Sequence, residues 1–415
     1  HAWMAEFRTP FFRSDLCNDP SLIHTVLNER PGDFPKSDRI REGLAPLLGR
    51  SVFVTNGEEW AGQRRLIDPA FEGGRLRDTF PAMAEAAAAF AARVTAQQGD
   101  EVDIEAEASH AAADVIFRTL FSIPITDDLA AETYARFRAF QRAQPILNLG
   151  AFLPLPWWVP RLHRRRALTE ARAIRRLITP LTDRRAEEIN SGKAPDDLAT
   201  KIMLAADPAT GKRFRTDEMV DQVAIFFLAG HETSASALAW ALYLLAADPD
   251  CQERAAAEAE SIGADPTFSD VAKLGFIRDV FRETLRLYPP VPMMVREARC
   301  PVTFRGRDVP KGAQIVLSPW HVHRHDRLWS APDEFRPERW RTEEGRESAR
   351  RAYLPFSAGP RVCPGAGFAM IEGPLLLATI LREMRITLPA GPSPVPVAHL
   401  TVRSRDGIRL NFAPR

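Results

Sequence analysis

Cysteine is scarce in this sequence, with four residues in a chain of 415. They lie far apart, at Cys17, Cys251, Cys300 and Cys363, and no two of them form a CxxC pair. Disulfide frameworks and zinc sites need cysteines at closer spacing, so the sequence predicts neither. Unpaired cysteines of this kind are expected in a protein of the reducing cytoplasm.

The sequence also lacks a long apolar run and an excess of charge of either sign. No run reaches the roughly 18 apolar residues of a membrane-spanning helix, and the first residues contain no clear apolar core of a signal peptide. Lys and Arg together number 55, against 54 for Asp and Glu. This balance gives no sign of a nucleic-acid or polyanionic partner.

Several enzyme motifs are missing as well. The chain contains no GxSxG and no Walker loop, and residues 365–370, GAGFAM, lack the third glycine of a dinucleotide fingerprint. His231 and Glu232 could begin an HExxH zinc-protease motif, but position 235 is Ala. We therefore interpret His231 as a structural residue.

Helical periodicity dominates the rest of the sequence. The longest helical segment covers 217–247, where Thr216 can cap it and Asp248-Pro249 can stop it. Because it is apolar on nearly all faces, it should be buried. Further helices are predicted at about 22–29, 78–97, 164–190, 249–262, 276–288 and 364–384, strands within the first 35 residues and in 301–318 and 396–413, and a loop at 153–160. Although the length alone would allow two or three domains, we predict one large domain over 1–415, mainly α with small β-sheets.

One cysteine lies in an unusual loop, FSAGPRVCPG, at 356–365. Pro364 suits the first position of a helix, which would place Cys363 at a helix N-terminus and lower the pKa of its thiol. Gly359 and Gly365 would let something flat approach, and Arg361 offers a fork for a carboxylate. On the loop alone, an inert buried cysteine is an equally good interpretation.

The long helix carries polar residues at its centre, in Ala229-Gly230-His231-Glu232-Thr233. Gly230, Glu232 and Thr233 all cost stability in a buried helix, and such costs often mark function. Gly230 would let a neighbour approach, Thr233 can hydrogen-bond back to a carbonyl, and Glu232 with Thr233 could relay protons. Taken in isolation, a satisfied polar spot in a helix is the better explanation.

The loop resembles a known signature. Phe356, Gly359, Arg361, Cys363 and Gly365 fit FxxGxRxCxG, the haem-binding motif of the cytochrome P450 superfamily. The resemblance implies haem b as cofactor and the family's fold, with a long central helix over the haem. It also implies Cys363 as the axial ligand of the iron, Arg361 at a haem propionate and Phe356 near the sulfur.

The centre of the long helix resembles the oxygen-activation motif of the same family, [AG]Gx[DE]T. The resemblance implies that Ala229 and Gly230 lie beside the haem. It implies further that Glu232 and Thr233, with ordered water, deliver protons during oxygen activation.

A third resemblance concerns an ion-pair network. Glu283 and Arg286 match the family motif ExxR, and Arg339 in FRPERW (335–340) matches the second arginine of a Glu–Arg–Arg network. Glu283 and Arg286 alone would be an ordinary surface ion pair of little worth. The resemblance implies a structural network that is necessary for haem incorporation.

Other positions resemble the family's haem and substrate contacts. Trp60 and Arg64 match W-x-x-x-R, and Arg296 matches a further arginine at a propionate. The positions that would line the substrate pocket are apolar: Phe226, Val291, Met293, Met294 and Leu400. Plain core packing is an equally good interpretation for Phe226.

The resemblance runs from about residue 10 to the end and implies a haem-thiolate monooxygenase. Such an enzyme inserts one atom of O₂ into a hydrophobic organic substrate, and the AGHET and PERW segments resemble members that hydroxylate fatty acids or terpenoid-like molecules. Without a fused reductase, electrons would come from ferredoxin and ferredoxin reductase or a flavodoxin-type donor, and Arg65, Arg350 and Arg351 could dock an acidic ferredoxin. The chain before the first strands is shorter than usual, and Pro374 should kink the last helix.

Two alternatives stay open at this point. The first is a peroxide-driven haem enzyme, and the second is a haem-binding sensor or carrier without turnover. The complete acid–threonine pair argues against both, because neither a peroxygenase nor a sensor needs proton delivery to O₂.

Overall fold

Helices supply most of the architecture of the computed structural model, which describes residues 2–9, 12–143 and 165–415. The predicted loop at 153–160 lies outside these residues. The α-helices of the described part are α1 Pro20–His24, α2 Asp38–Leu48, α3 Gly57–Ile67, α4 Gly73–Thr95, α5 Ile104–Phe121, α6 Asp128–Ala143, α7 Arg165–Asn190, α8 Leu198–Leu204, α9 Thr216–Ala247, α10 Pro249–Ala259, α11 Gly275–Leu287, α12 Pro319–Val322, α13 Glu343–Ala352 and α14 Ala366–Glu383. A π-helical turn, Thr25–Glu29, continues α1.

Short strands form small sheets at the periphery. They are β1 Met4–Thr9, β2 Phe12–Cys17, β3 Glu101–Asp103, β4 Met294–Glu297, β5 Val302–Phe304, β6 Arg307–Val309, β7 Gln314–Leu317, β8 Met384–Thr387, β9 Pro396–Ala398, β10 Val402–Ser404 and β11 Arg409–Pro414. The largest sheet has the order β1-β2-β7-β4, with β2 and β7 parallel and the other pairs antiparallel. Strands β3, β11 and β8 form a second sheet, while β9–β10 and β5–β6 are hairpins. The predicted mainly α fold with small sheets is confirmed.

The central helix α9 is buried as its apolar composition predicts, with Trp240, Leu242 and Leu245 fully inaccessible to solvent. It packs chiefly against α5 and also against α7, α11 and α14. The prediction that Thr216 caps it is wrong, because Thr216 is already the first helical residue and Arg215 is the N-cap. The backbone N–H of Arg215 instead donates to the Glu218 carboxylate at 2.9 Å.

Helix α14 differs from its prediction at the N-terminal end, where it begins at Ala366 with Gly365 as N-cap. The prediction of Pro364 at the first helical position is therefore wrong, because the chain turns for two more residues before the helix starts. Pro374 does lie within the helix. Beside it, a Cβ on Gly373 would lie 2.3 Å from the Phe281 ring, so glycine is what lets α14 and α11 pack this closely.

Two apolar cores result from this arrangement. The larger core joins α4, α5, α9, α11 and α14, and the smaller one lies under the β1-β2-β7-β4 sheet. In the described ranges, no helix is both long and apolar enough to span a membrane. The segment 356–365 lies where the two cores meet, since Phe356 packs on the larger core and Ala358 on the smaller.

Candidate active site

The loop that carries Cys363 is closed by its own backbone. The Cys363 N–H donates to the Phe356 carbonyl at 2.9 Å, and the Val362 N–H donates to the Gly359 carbonyl at 3.0 Å. Gly359 has a φ of +68°, and a Cβ there would lie 1.9 Å from the carbonyl oxygen of Leu27. The need for glycine at 359 thus comes from contact with the π-helical turn, whereas the sequence interpretation attributed it to a flat ligand.

Cys363 is exposed as a residue, although burial by the surrounding protein still affects its thiol. Burial raises the pKa of this thiol, while the Gly365 N–H and the charges of Arg64 and Lys36 lower it less strongly. The prediction of a lowered pKa is therefore wrong for the protein alone. A bound metal ion deprotonates a coordinating thiol, so we expect Cys363 to become a thiolate when the metal binds.

One face of α9 is open in the middle of an otherwise buried helix. Ala229 is exposed, and Phe226 and Thr233 are half-buried, at spacings that place all three on one side. Three apolar side chains elsewhere are unusually exposed, namely Val291 at 37%, Met293 at 45% and Leu400 at 40%. Met294 is half-buried. The next residues after Leu400 do contact α9, since the Thr401 hydroxyl donates to Glu232 and the Val402 carbonyl accepts from Ser236. The apolar cleft that the sequence predicts along this face stays a prediction.

The residues at the polar centre of α9 each have different contacts. The Thr233 hydroxyl donates to the Ala229 carbonyl at 2.6 Å, as the sequence predicts. A Cβ at position 230 would lie 2.5 Å from the Cδ1 atom of Ile116 of α5, so the close neighbour of Gly230 is the end of a side chain. His231 is buried, and its Nδ1 contacts the Phe227 carbonyl at 3.0 Å, which agrees with a structural role.

Glu232 is only 2% exposed and points away from the cleft face. Its carboxylate accepts a hydrogen bond from the Thr401 hydroxyl at 3.0 Å and forms an ion pair with Arg403. Neither partner was identified from the sequence, because Thr401 and Arg403 belong to no recognised motif. The acid that the resemblance assigns to proton transfer is thus held by the β9–β10 hairpin.

Four cations gather beside the Cys363 loop: Lys36, Arg64, Arg296 and Arg361. Arg296 is 4% exposed, and among the described residues no carboxylate lies within ion-pair distance of it, of Arg361 or of Lys36. Burial lowers the pKa of Arg296 to about 10. Burial first, and then the charges of Arg296 and Arg64, lower the pKa of Arg361 to about 10. The pKa of Lys36 is also lowered, by burial and by the nearby guanidinium groups.

These cations fit a dianionic ligand. Nη1 of Arg361 is buried without a partner, whereas its Nη2 donates to the Thr55 carbonyl and to Asn56 Oδ1. The Arg361 guanidinium lies 4.3 Å from the Trp60 ring centroid, and Arg64 donates to the Val362 carbonyl at 2.7 Å. Buried like charges without counterions are costly, so the cluster calls for an anion such as the two propionates of haem.

Glu283, Arg286 and Arg339 form a buried network. Glu283 Oε1 accepts from Arg286 Nη2 and from Arg339 Nε, each at 2.8 Å, and Oε2 accepts from Arg286 Nε at 3.0 Å. Glu283 and Arg286 are 0% exposed, which a surface pair would not be. The arginines also donate to backbone carbonyls, including those of His323 and Ser330. The structure therefore brings together all three residues of the predicted network.

His323 connects this network to the Cys363 loop. Its Nδ1 lies 3.2 Å from the Arg286 carbonyl, and its Nε2 accepts from the Leu354 N–H at 2.8 Å. Burial lowers the pKa of His323 to about 3, so the ring is neutral and has one donor and one acceptor. No motif indicates this role of His323, because a single histidine that joins two loops forms no recognisable pattern.

A second buried acid lies close to Thr233. Glu372 of α14 is 1% exposed, accepts a hydrogen bond from the Ser234 hydroxyl at 2.6 Å, and has an Oε1 without a partner. Burial raises the pKa of Glu372 to about 8, so it is mostly protonated at neutral pH. Like Glu232, Glu372 is an acid within an apolar helical stretch, AMIEGPLLL. This pattern could have indicated its burial, but only Pro374 was singled out from the sequence.

The Glu372→Gln variant should gain stability relative to the natural protein as pH rises. Below the ordinary Glu pKa of 4.5, Glu372 is protonated in both states, but between about 4.5 and 8 only the unfolded chain ionises. Folding stability therefore falls across this window, by a few kcal/mol at most, and glutamine removes that loss. Urea unfolding at pH 5 and pH 8 measures the difference. Glu383→Gln, at the exposed end of α14, is the control; an equal pH trend in both variants would contradict the assignment.

Comparisons with known proteins cover nearly the whole chain. The family model described as cytochrome P450 matches residues 13–412. Cyclooctat-9-en-7-ol 5-monooxygenase of Streptomyces melanosporofaciens is 34% identical over 396 residues, 93% of this chain and 83% of that protein. Cyclooctatin synthase of the same organism is 30% identical over 410 residues, 95% of this chain and 83% of its own length. The crystal structure of the cytochrome P450DA heme domain has a TM-score of 0.85 and 26% identity, covering 100% of this chain and 90% of that one.

The matches agree with the geometry described above, from the closed cysteine loop to the central helix and the cation cluster. Relatives in this family combine a haem-thiolate cofactor with O₂ and electrons from redox partners. The chain therefore belongs to the cytochrome P450 family and is a haem-thiolate monooxygenase.

Proposed function

We propose that this cytochrome P450 hydroxylates a neutral, terpenoid-like substrate. The observation that carries the proposal is the apolar character of the described positions that we expect to line the cleft, Phe226, Val291, Met293 and Leu400, none of which is a cation for a fatty-acid carboxylate. A carboxylate that is buried without a partner loses its hydration at high cost, whereas a hydrocarbon gains from burial. The relative named cyclooctat-9-en-7-ol 5-monooxygenase supports the same class of substrate.

When bound, the haem supplies the iron at which O₂ is activated. We assign the chain's own residues as follows: Cys363 holds the iron, and Trp60, Arg64, Arg296 and Arg361 hold the propionates. Lys36 is an addition to this set, since its ammonium group belongs to the same cluster. Phe356 supports the loop from the core side.

Proton supply is assigned to α9. The Thr233 hydroxyl lies on the cleft face and can accept a proton from one side and donate one to the other, since a hydroxyl has both capacities. Glu232 is the adjacent acid, and water bridging from Glu232 to Thr233 would complete the path. To Glu283, Arg286 and Arg339 we assign a structural role only, because they are buried and bind one another and backbone carbonyls.

For the electron donor we propose a separate ferredoxin. Of the three arginines that the sequence suggests as a ferredoxin docking site, two already have carboxylate partners. Arg65 pairs with Asp207 at 2.8 Å, and Arg350 pairs with Glu343 at 3.1 Å, so part of their charge is already neutralised. A docking surface there would rely more on Arg351 and on the exposed Val362.

Ligand titration of the ferric haem spectrum tests the substrate class. Cyclooctat-9-en-7-ol and dodecan-1-ol should shift the spectrum at concentrations about tenfold lower than dodecanoate, which corresponds to roughly 1.4 kcal/mol for leaving the carboxylate unpaired. Dodecanol and dodecanoate have the same chain and differ in charge, so they form a matched pair. Tighter binding of dodecanoate than of both neutral compounds would overturn the proposal.

The rate of product formation from whichever probe binds then distinguishes between the possible electron donors and hydrogen peroxide. NADPH with ferredoxin and its reductase should give hydroxylated product at a higher rate than hydrogen peroxide does, and a flavodoxin provides the comparison donor. A higher rate with peroxide would establish the peroxygenase alternative, and binding without any product under all three conditions would favour the sensor.

A further inference from the structure

The side chain of Asn56 does not serve the helix that it precedes. Asn56 is the N-cap residue of α3, a position where asparagine normally accepts a hydrogen bond from an N–H of the first helical turn. Among the described residues of α3, none donates to this side chain. Its Oδ1 accepts from the Lys36 N–H at 3.1 Å and from Arg361 Nη2 at 2.8 Å, and its Nδ2 donates to the Lys36 carbonyl at 3.0 Å. The carboxamide therefore binds two other parts of the chain.

Both partners of Asn56 belong to the cation cluster. Lys36 lies 20 positions before it, and Arg361 lies 305 positions after it. The backbone that Asn56 holds at Lys36 also forms an antiparallel bridge with Arg296, a third member of the cluster. One neutral side chain thus joins the segments that carry three of the four cations.

Asn56 also determines which atom of Arg361 is left free. Nη2 of Arg361 is occupied, since it donates to the Thr55 carbonyl at 2.9 Å as well as to Asn56. The guanidinium group lies 4.3 Å from the Trp60 ring centroid. Nη1 is buried and has no partner among the described residues. A planar group that is bound at one nitrogen and packed against an aromatic ring has little freedom to rotate, so Nη1 is the donor that remains for an anion.

The amide is suited to this position because it carries no charge. A carboxylate in its place could accept the same two hydrogen bonds, but it would neutralise Arg361 before an anionic ligand binds. The two acids that follow on α3 have other partners. Glu58 pairs with Arg65 at 2.9 Å, and Glu59 pairs with Arg50. The positive charge of the cluster is therefore kept for a ligand.

We propose that Asn56 is a positioning residue for haem, which fixes Arg361 and the Lys36 segment without neutralising them, so that Arg361 Nη1 can bind a propionate. The inference rests on the proposed assignment of the cation cluster to the haem propionates, and it adds a neutral residue to that set. A role in capping α3 would require none of the three hydrogen bonds described above, since none of them is made to α3.

The rate of haem loss from the holoenzyme measures this role. Asn56→Leu has a similar size but neither accepts nor donates a hydrogen bond. It should accelerate haem transfer to excess apomyoglobin about tenfold, the factor expected for one hydrogen bond to a charged group. Asn190→Leu, at the exposed end of α7, is the matched control and should leave the rate unchanged. The CO-bound thiolate spectrum shows that each variant is folded and loaded. Equal rates in Asn56→Leu and the control would overturn the inference.

A double-mutant cycle separates positioning of Arg361 from general stabilisation of the loop. Arg361→Met alone should also accelerate haem loss, because it removes the donor itself. In this background, Asn56→Leu should add a factor about threefold smaller, or less, than in the natural protein, as expected for residues that act together. A purely structural Asn56 would give the same factor in both backgrounds, and that result would contradict the role assigned to it.

The charge of the residue is tested by Asn56→Asp, which preserves the size of the side chain and its acceptor. The added negative charge beside Arg361 should accelerate haem loss and lower the reduction potential of the haem iron, because it repels the propionates and disfavours the addition of an electron. Asn190→Asp makes the same change of charge at an exposed site and should shift neither quantity. An unchanged rate and potential in Asn56→Asp would overturn the inference, and this test needs no second substitution.

The two proposals fail in different ways. If Arg361→Met and Arg296→Met lose haem no faster than the natural enzyme, the assignment of the cluster to the propionates fails, whatever Asn56 does. If they lose haem faster while Asn56→Leu and Asn56→Asp behave like their controls at Asn190, only the role of Asn56 is rejected.

Discussion

The Cys363→Ser variant should fold yet lose the thiolate-type absorption band of the reduced, CO-bound protein. Serine keeps a small polar group that can accept the Gly365 N–H, so the loop retains its hydrogen bonds. It cannot supply a thiolate, and an alkoxide is far harder to form. The expected loss of the band is complete, because no second sulfur shares this site: Cys17 and Cys251 are buried elsewhere.

Cys300→Ser is the matched control. Cys300 is half-buried near Arg30 and does not belong to the 356–365 loop, so its replacement should leave the band unchanged. Far-ultraviolet circular dichroism shows whether both variants are folded. A thiolate-type band in folded Cys363→Ser would remove Cys363 as the ligand.

The Glu283→Gln variant should be the most destabilised of the single substitutions considered. It preserves the shape of the side chain but leaves Arg286 and Arg339 without their buried anion. Breaking one partner of a buried ion pair costs about 3–5 kcal/mol, since the remaining charge keeps its desolvation penalty. We expect that loss in urea unfolding, together with a low ratio of haem to purified protein.

Glu343→Gln provides the comparison for Glu283→Gln. Glu343 also contacts two arginines, Arg346 at 3.0 Å and Arg350 at 3.1 Å, but it is exposed, and such pairs contribute about 0–1 kcal/mol. A cost for Glu283→Gln no larger than that for Glu343→Gln would mean that the buried network does not stabilise the fold. Normal stability with poor haem content would instead assign the network to haem incorporation alone.

The loss should extend to the haem loop through a short series of contacts. Arg286 donates to the His323 carbonyl and accepts from the same residue's ring, and His323 in turn holds the Leu354 N–H. Leu354 is two residues from Phe356, whose carbonyl closes the Cys363 loop. We therefore expect Glu283 to act on haem binding through its neighbours.

Strict spacing is what made much of the site readable from sequence. The helix at Thr216–Ala247 and the network of Glu283 and Arg286 follow from local periodicity and from motifs with fixed intervals. Partners that come from distant parts of the chain could not be read in this way. Arg403 meets Glu232 across 171 positions, and nothing in either local sequence indicates the pairing.

Burial is the other quantity that local sequence does not contain. The sequence predicts a helix N-terminus that lowers the thiol pKa of Cys363, and the structure adds Arg64 and Lys36 with the same effect, but enclosure by protein raises this pKa more. The same applies to Gly359. The sequence singled out this glycine, but the reason that glycine is needed is the Leu27 carbonyl, which lies more than 300 residues earlier. In both cases the local sequence singled out the residue, and the physical reason required the fold.

The cation cluster at Lys36, Arg64, Arg296 and Arg361 has a consequence for the stability and abundance of the protein in a cell. Three of these cations, Lys36, Arg296 and Arg361, have no carboxylate partner among the described residues and can be brought together at low cost only when an anion binds with them. Haem binding and folding therefore draw on the same free energy. Chains made while haem is scarce would be loose around these residues and open to proteolysis there. Haem supply would then set the amount of intact enzyme, before any regulation of its synthesis.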